Sequence, residues 1–219
     1  LLTSNALSTS IIAFTEPIPP VCEPTTGSLG LANNIAGILE VKLNNMSATS
    51  SYAKKDGGYV NNADNCLKAV YVHPDSTYDL SITPGVNTNY LKGWIDYNND
   101  GDFANDELIY DQILASKTTV SQSVKIPVSA VQDKFLRMRL LLDLYNITDA
   151  CMDPEYGQAE DYAVYIHKIH TVSGKIYEDI SSVCGATGSA FLAIGLVKNG
   201  QTHYTTITDG FGNYTFAGV

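Results

Sequence analysis

Arginine is nearly missing from this chain, with two residues in 219, and 13 cationic side chains face 23 acidic ones for a formal net charge of −10. Without a basic stripe there is nothing to neutralise a phosphate backbone, so nucleic acid is not an expected partner. Long apolar runs are lacking too: none approaches the roughly 18 residues a helix needs to cross a bilayer, so no membrane span is read. Paired CxxC spacing is absent; Cys22, Cys66, Cys151 and Cys184 lie too far apart for a zinc knuckle or a redox motif. There is no glycine-rich phosphate loop, no GxSxG elbow and no HExxH. His167 and His170 sit three apart on a predicted strand and so face opposite sides, while His73 and His203 are isolated in sequence. No enzyme is expected. Only a glycosidase-like carboxylate pair, drawn from distant positions, would leave no local trace.

What the chain does contain points to strands. Hydrophobic residues make up 44% and charged ones 16%, and 14 tyrosines and 17 glycines accompany many Thr and Val, a composition for strands joined by turns. The expected fold class is all-β, a β-sandwich of jelly-roll or immunoglobulin-like type with a second, smaller unit. Residues 1–21 end in a proline cluster and read as an extended arm or linker whose Leu7, Ile11, Ile12 and Phe14 form an apolar patch. Residues 22–168 carry eight candidate strands, several alternating with period two, as in Tyr78, Leu80 and Ile82 against Asp79 and Ser81. Residues 169–219 begin a new unit, with Asn199-Gly200 as a hairpin turn and "TDGFGNY" as a second glycine-rich turn.

The chain opens on Leu1, which points to processing or to a fragment of a longer protein. Sequons at Asn45, Asn146 and Asn213 hint at export, and four cysteines then suggest a disulfide framework. Three complete pairings are possible; Cys22 with Cys151 is preferred because the two bracket the main domain.

One stretch carries chemistry. "WIDYNNDGDFANDE" holds the spacing of a twelve-residue calcium loop: Asp96, Asn98 and Asp100 at positions one, three and five, Gly101 at the sharp turn, Asp102 offering its backbone carbonyl at seven, and Glu107 at twelve. Position nine is Ala104, so water or another loop must fill that place. The preceding Trp94 and Ile95 read as a strand end, not a helix, so a helix-opening switch has no mechanical basis. Calcium is expected as a rivet between strands that neutralises clustered carboxylates.

That loop, the following "VKIPVSA", the "RMRLLL" strand and "GQAEDYAVYI" resemble the bacterial GEVED domain, a β-sandwich module of secreted and surface proteins, over residues 22–168. Gly157, Glu160, Asp161 and Tyr162 match the signature, while Gln158 and Ala159 depart from it. Arg137 and Arg139 share a strand face and suit Glu160 or Asp161 as partners in a half-buried ion pair; alternatively Asp161 supplies the oxygen missing at Ala104 or joins a second calcium site. The tail, with "VSGKIYED" and the TDxxGxYxF pattern of Thr208, Asp209, Gly212, Tyr214 and Phe216, resembles the first half of a carboxypeptidase-regulatory-like or Cna-B-like immunoglobulin-type module.

These resemblances imply a non-catalytic, calcium-stabilised structural or adhesive module, located extracellularly or on the bacterial cell surface. The alternative is an accessory domain of a larger secreted hydrolase. Expected partners are other copies of the chain or other surface proteins through sheet edges, in a filament assembled by strand donation from the arm, and glycans.

Overall fold

The computed structural model describes residues 12–26, 36–177 and 188–217. They form two compact units, Leu1–His167 and Lys168–Val219. The first is a β-sandwich. One layer is a four-stranded sheet in the order β2 (Met46–Thr49), β1 (Ile38–Leu43), β5 (Thr77–Pro84), β8 (Val120–Lys125). The other runs β3 (Tyr59–Asn62), β10 (Gln158–Ile166), β9 (Lys134–Asp143), β6 (Asn89–Ile95), β7 (Leu108–Leu114), with β4 (Val70–Val72) also against β10.

The alternation that suggested strands is the alternation that builds the core. Leu80 and Ile82 of β5 are fully buried and meet Val41 and Leu43 of β1 and Leu136, Met138, Leu140 and Leu142 of β9 in one apolar cluster. All eight strands read from the sequence are present, with one trimmed: residues 66–68 form a 3-10 turn because the Asn65 side chain accepts from Leu67 N, and β4 starts after it. Two four-residue strands, β2 and β3, and a one-turn helix α1 (Ala53–Asp56), closed by Gly57 in the left-handed conformation, carry too little periodicity to be read.

Central strands β9 and β10 are buried on both sides. Their outer face carries Phe135, Arg137, Arg139, Asp161 and Ala163, and chain segments cover it. Phe14 lies 4.8 Å from Phe135, and Ile12 joins the same cluster. The segment expected as an extended arm has no regular secondary structure over residues 12–21, and its Ile12 and Phe14 are packed on this unit; Leu7 and Ile11 lie outside the described residues. Apolar side chains had a hydrophobic face within reach. Cys22 is disulfide-bonded to Cys151, Cα to Cα 5.6 Å, as preferred from the sequence; Cys66 is free, and Cys184 lies outside the described residues.

In the second unit, β11 (Thr171–Lys175) pairs with β14 (Asn213–Ala217), and β12 (Ala193–Lys198) pairs with β13 (Gln201–Ile207). Asn199 and Gly200 take φ of +52° and +79°, the positive pair that a tight hairpin needs. Asp209 accepts from Phe211 N and Asn213 N, and buried Thr208 both donates to Ser189 O and accepts from Leu192 N. That network is the physical content of the TDxxGxYxF pattern.

Candidate metal centre

Strand β6 delivers Asp96 to the loop from one side, and a single 3-10 turn, Asn105–Glu107, returns Glu107 from the other before β7 begins. Both carboxylates are buried, at 0% and 4% exposure. Asp96 accepts from Asp100 N at 3.1 Å and from Gly101 N at 2.9 Å. Glu107 accepts from Asn98 N at 3.1 Å and Ala104 N at 3.0 Å. Gly101 has φ of +88°, and a Cβ there would sit 2.9 Å from Pro19 O, so both conformation and crowding demand glycine.

The remaining predicted ligands fold onto the loop itself. Asn98 donates through Nδ2 to Asp100 Oδ2 and accepts from Asp100 N, while Asp102 N donates to Asp100 Oδ1. The Asp102 side chain accepts from Phe103 N. Asp96, Asp100 and Glu107 are near enough for charge to matter: burial first, then neighbouring carboxylates, push Asp96 and Glu107 above the usual carboxylate range. Among the described residues no ion pair reaches either group, and no three His, Cys, Asp or Glu side chains close into a compact cage. The centre is therefore a pair of buried acids with further oxygens at hand and no cationic side chain paired to them among the described residues. An all-oxygen donor set of this charge fits a hard divalent ion and offers nothing to a soft one.

Behind the loop stands a second buried charge group. Arg139 faces Asp161 across β9 and β10, donating from Nε to Oδ1 and from Nη2 to Oδ2, both at 2.8 Å. Arg137 Nη1 reaches the same Oδ2 at 3.1 Å, and Tyr59 OH donates to it at 2.8 Å. The ion pair expected as half-buried is fully buried and uses Asp161 alone, because consecutive strand residues point to opposite faces and Glu160 faces the sandwich interior. With its oxygens committed, Asp161 does not fill the place of Ala104.

This group ties the acidic loop to the rest of the domain. The Phe103 ring packs 4.8 Å from the Arg139 guanidinium carbon. Arg139 Nη1 donates to Ala150 O beside the disulfide, Arg137 Nε to Ile18 O, and Val21 N to Gly101 O. Sequence reasoning found the loop and the arginines but not this covering segment. His73, read as isolated, stacks on His167 at 4.5 Å, a contact between residues far apart in the chain that no local spacing reveals.

The signature stretch also has a mechanical reading. A Cβ at Gly157 would lie 1.6 Å from Leu142 O, so only glycine lets β10 begin this close to β9. Gln158 accepts from Ile38 N at 2.7 Å and so links the two sheets.

Residues 90–165 match the GEVED domain model. The matched stretch runs from β6 to β10 and contains the acidic loop, both arginines and the GEVED-like signature. No curated protein matches the chain. A variant of the major pilin subunit of Bacillus cereus is similar in structure at 10% identity and a TM-score of 0.28, over 71% of this chain. The chain spans about half, 54%, of that pilin's length, and a likeness at this level carries no argument. No helix among the described residues is long and apolar enough to cross a membrane.

Proposed function

We propose that this chain is a non-catalytic, calcium-riveted structural or adhesive module of an exported bacterial protein, at the cell surface or in the extracellular medium. The observation that carries the reading is the pair Asp96 and Glu107: two buried acids on one loop with no cationic partner among the described residues. Buried like charges of this kind destabilise a fold unless a cation joins them. Calcium would take oxygens of Asp96, Asn98, Asp100 and Glu107 and the backbone carbonyl of Asp102, with water at the place of Ala104, and would fasten β6 to β7. The GEVED match adds the context of a surface or secreted module, and the tail unit is read as the first half of a carboxypeptidase-regulatory-like or Cna-B-like module.

Contacts with other copies or other surface proteins would run through sheet edges. Strands β2, β8, β3 and β7 end their sheets, and the tail unit presents Val172, Tyr204, Ile207 and Phe211 to solvent. Strand donation by residues 1–16 requires Ile12 and Phe14 to leave their seat near Phe135. Electron microscopy of the chain with and without those residues tests it, since filaments that persist after deletion rule out this donor.

The calcium reading is tested by thermal unfolding of the whole chain in calcium and in chelator. A lower melting temperature in chelator is expected. Identical curves would remove the rivet.

A further inference from the structure

A different buried polar group occupies the opposite face of β10. Glu160 and Tyr162 point inward, and the Tyr162 hydroxyl donates to Glu160 Oε2 at 2.5 Å. Across the parallel pairing, Asn62 of β3 is the register partner of Tyr162 and is only 4% exposed. Lys68, at the end of the 3-10 turn, places Nζ 2.7 Å from Asn62 Oδ1. Nδ2 of Asn62 and Oε1 of Glu160 are buried with no partner at full hydrogen-bond geometry among the described residues, while Ser50 lies close enough to act on Glu160 and Asn62 close enough to act on Tyr162. Lys68 is the cation whose charge acts on Glu160, with Asp56 the nearby opposing carboxylate and Ser50 beside the acid.

An amine hydrogen-bonded to a carboxamide oxygen, with a buried acid on the neighbouring strand, is the set of groups an amide exchange needs. We propose that Lys68 and Asn62 join in an intramolecular isopeptide bond, with Glu160 moving the protons. The Lys68 ammonium passes one proton to the Glu160 carboxylate, leaving a neutral amine beside a neutral acid. The Nζ lone pair forms a bond to Cγ of Asn62, and the carbonyl electron pair moves onto Oδ1. When the carbonyl re-forms, the bond from Cγ to Nδ2 breaks. Nδ2 leaves with its own two hydrogens, the second proton shed by Nζ and the proton returned by Glu160. Ammonium plus carboxamide become an amide plus an ammonium ion, Glu160 ends as it began, and no oxidant or co-reactant enters.

The surroundings suit this step. Burial pushes Glu160 up to about 7, so the acid form is populated at neutral pH. A polar cleft bordered by Ser50, Lys55, Asp56 and Lys68 opens to solvent and gives ammonia an exit. The product would staple the crossover between β3 and β4, two short parallel strands that each lean on β10. Lysine and asparagine are six residues apart in sequence, so the staple is a local ring.

Mass spectrometry of the oxidised full chain tests the bond. The expected mass is below that of the disulfide-bonded sequence by one ammonia. Cleavage after lysine should leave residues 56–92 as one peptide, uncut after Lys68 and lighter by the same amount. Lys68→Arg should restore the full mass, and Glu160→Gln, with folding checked by circular dichroism, should slow bond formation about 10²-fold or more. Full sequence mass in the wild-type chain overturns the proposal. So does an ammonia loss that leaves Lys68 cleavable, which marks a succinimide at asparagine, or equal bond formation in Glu160→Gln.

Discussion

Arg139 and Asp161 are register partners on β9 and β10, and they meet through two parallel 2.8 Å hydrogen bonds with neither side chain exposed. Asp161 also carries Arg137 and Tyr59, so removing its charge strands two buried guanidinium groups at once. Asp161→Asn should cost about 3–5 kcal/mol in denaturant unfolding. Arg139→Lys should lose stability as well, because an ammonium has no planar fork for the carboxylate and no flat face for Phe103. Unfolding midpoints within error of wild type for both variants would show that the pair is not the anchor of this face.

The acidic loop makes a prediction whose size depends on conditions. At about 10 mM calcium and an extracellular-type affinity of about 10⁻⁴–10⁻³ M, binding should stabilise the fold by about 1.4–2.7 kcal/mol. Asp96→Asn and Glu107→Gln should abolish that gain. In chelator the same changes should cost less than in calcium, since each removes one of two buried charges that repel but turns an amide N–H onto one of the backbone N–H groups that the carboxylate accepted. Melting curves of each variant in calcium and in chelator give all four comparisons.

How much of this was legible in the sequence varies with the kind of signal. Period-two alternation around Leu80 and Ile82 announced the sandwich core, because one buried face leaves a pattern in the chain. The loop was legible because its oxygens and Gly101 come from one contiguous stretch. Strands β9 and β10, buried on both sides, lose that contrast. Whether Glu160 or Asp161 meets the arginines is then decided by register, which only the pairing of Asp161 with Arg139 fixes. The cover formed by residues 12–22 was hidden for another reason. Its Pro-rich composition reads as a linker, and its contacts, such as Ile18 O with Arg137, join positions 119 residues apart.

The disulfide closes a loop with a sequence separation of 129 and ties the covering segment beside Arg139. Chain entropy alone gives such a link a contribution of up to about 5 kcal/mol. Cys22→Ser with Cys151→Ser should lower stability by about 2–5 kcal/mol. It should also make residues 12–26 the first site of proteolysis, since the segment would then be held by non-covalent contacts alone, those of Ile12, Phe14, Ile18, Val21, Thr25 and Thr26 among them. Limited proteolysis with end sequencing reads this directly. First cleavage elsewhere would mean the segment holds without its covalent link.

Glu160 predicts the direction in which pH acts on the sandwich. Its folded-state value is raised from 4.5 to about 7, chiefly by burial, so the folded chain keeps a proton that the unfolded chain releases. Stability from this group is therefore fully present below about pH 4.5, falls as pH rises towards 7, and is flat beyond, with a total change of about 3 kcal/mol. Glu160→Gln cannot ionise, so the variant should match its parent at pH 4 and exceed it above pH 7. Comparing the two in a Lys68→Arg background keeps the measurement clear of any amide at that lysine, and subtracting one curve from the other cancels the similar slopes of Asp96 and Glu107. A difference that stays constant from pH 4 to 8 would mean that Glu160 titrates in the folded chain as it does in the unfolded one, with its burial offset by a partner other than a proton.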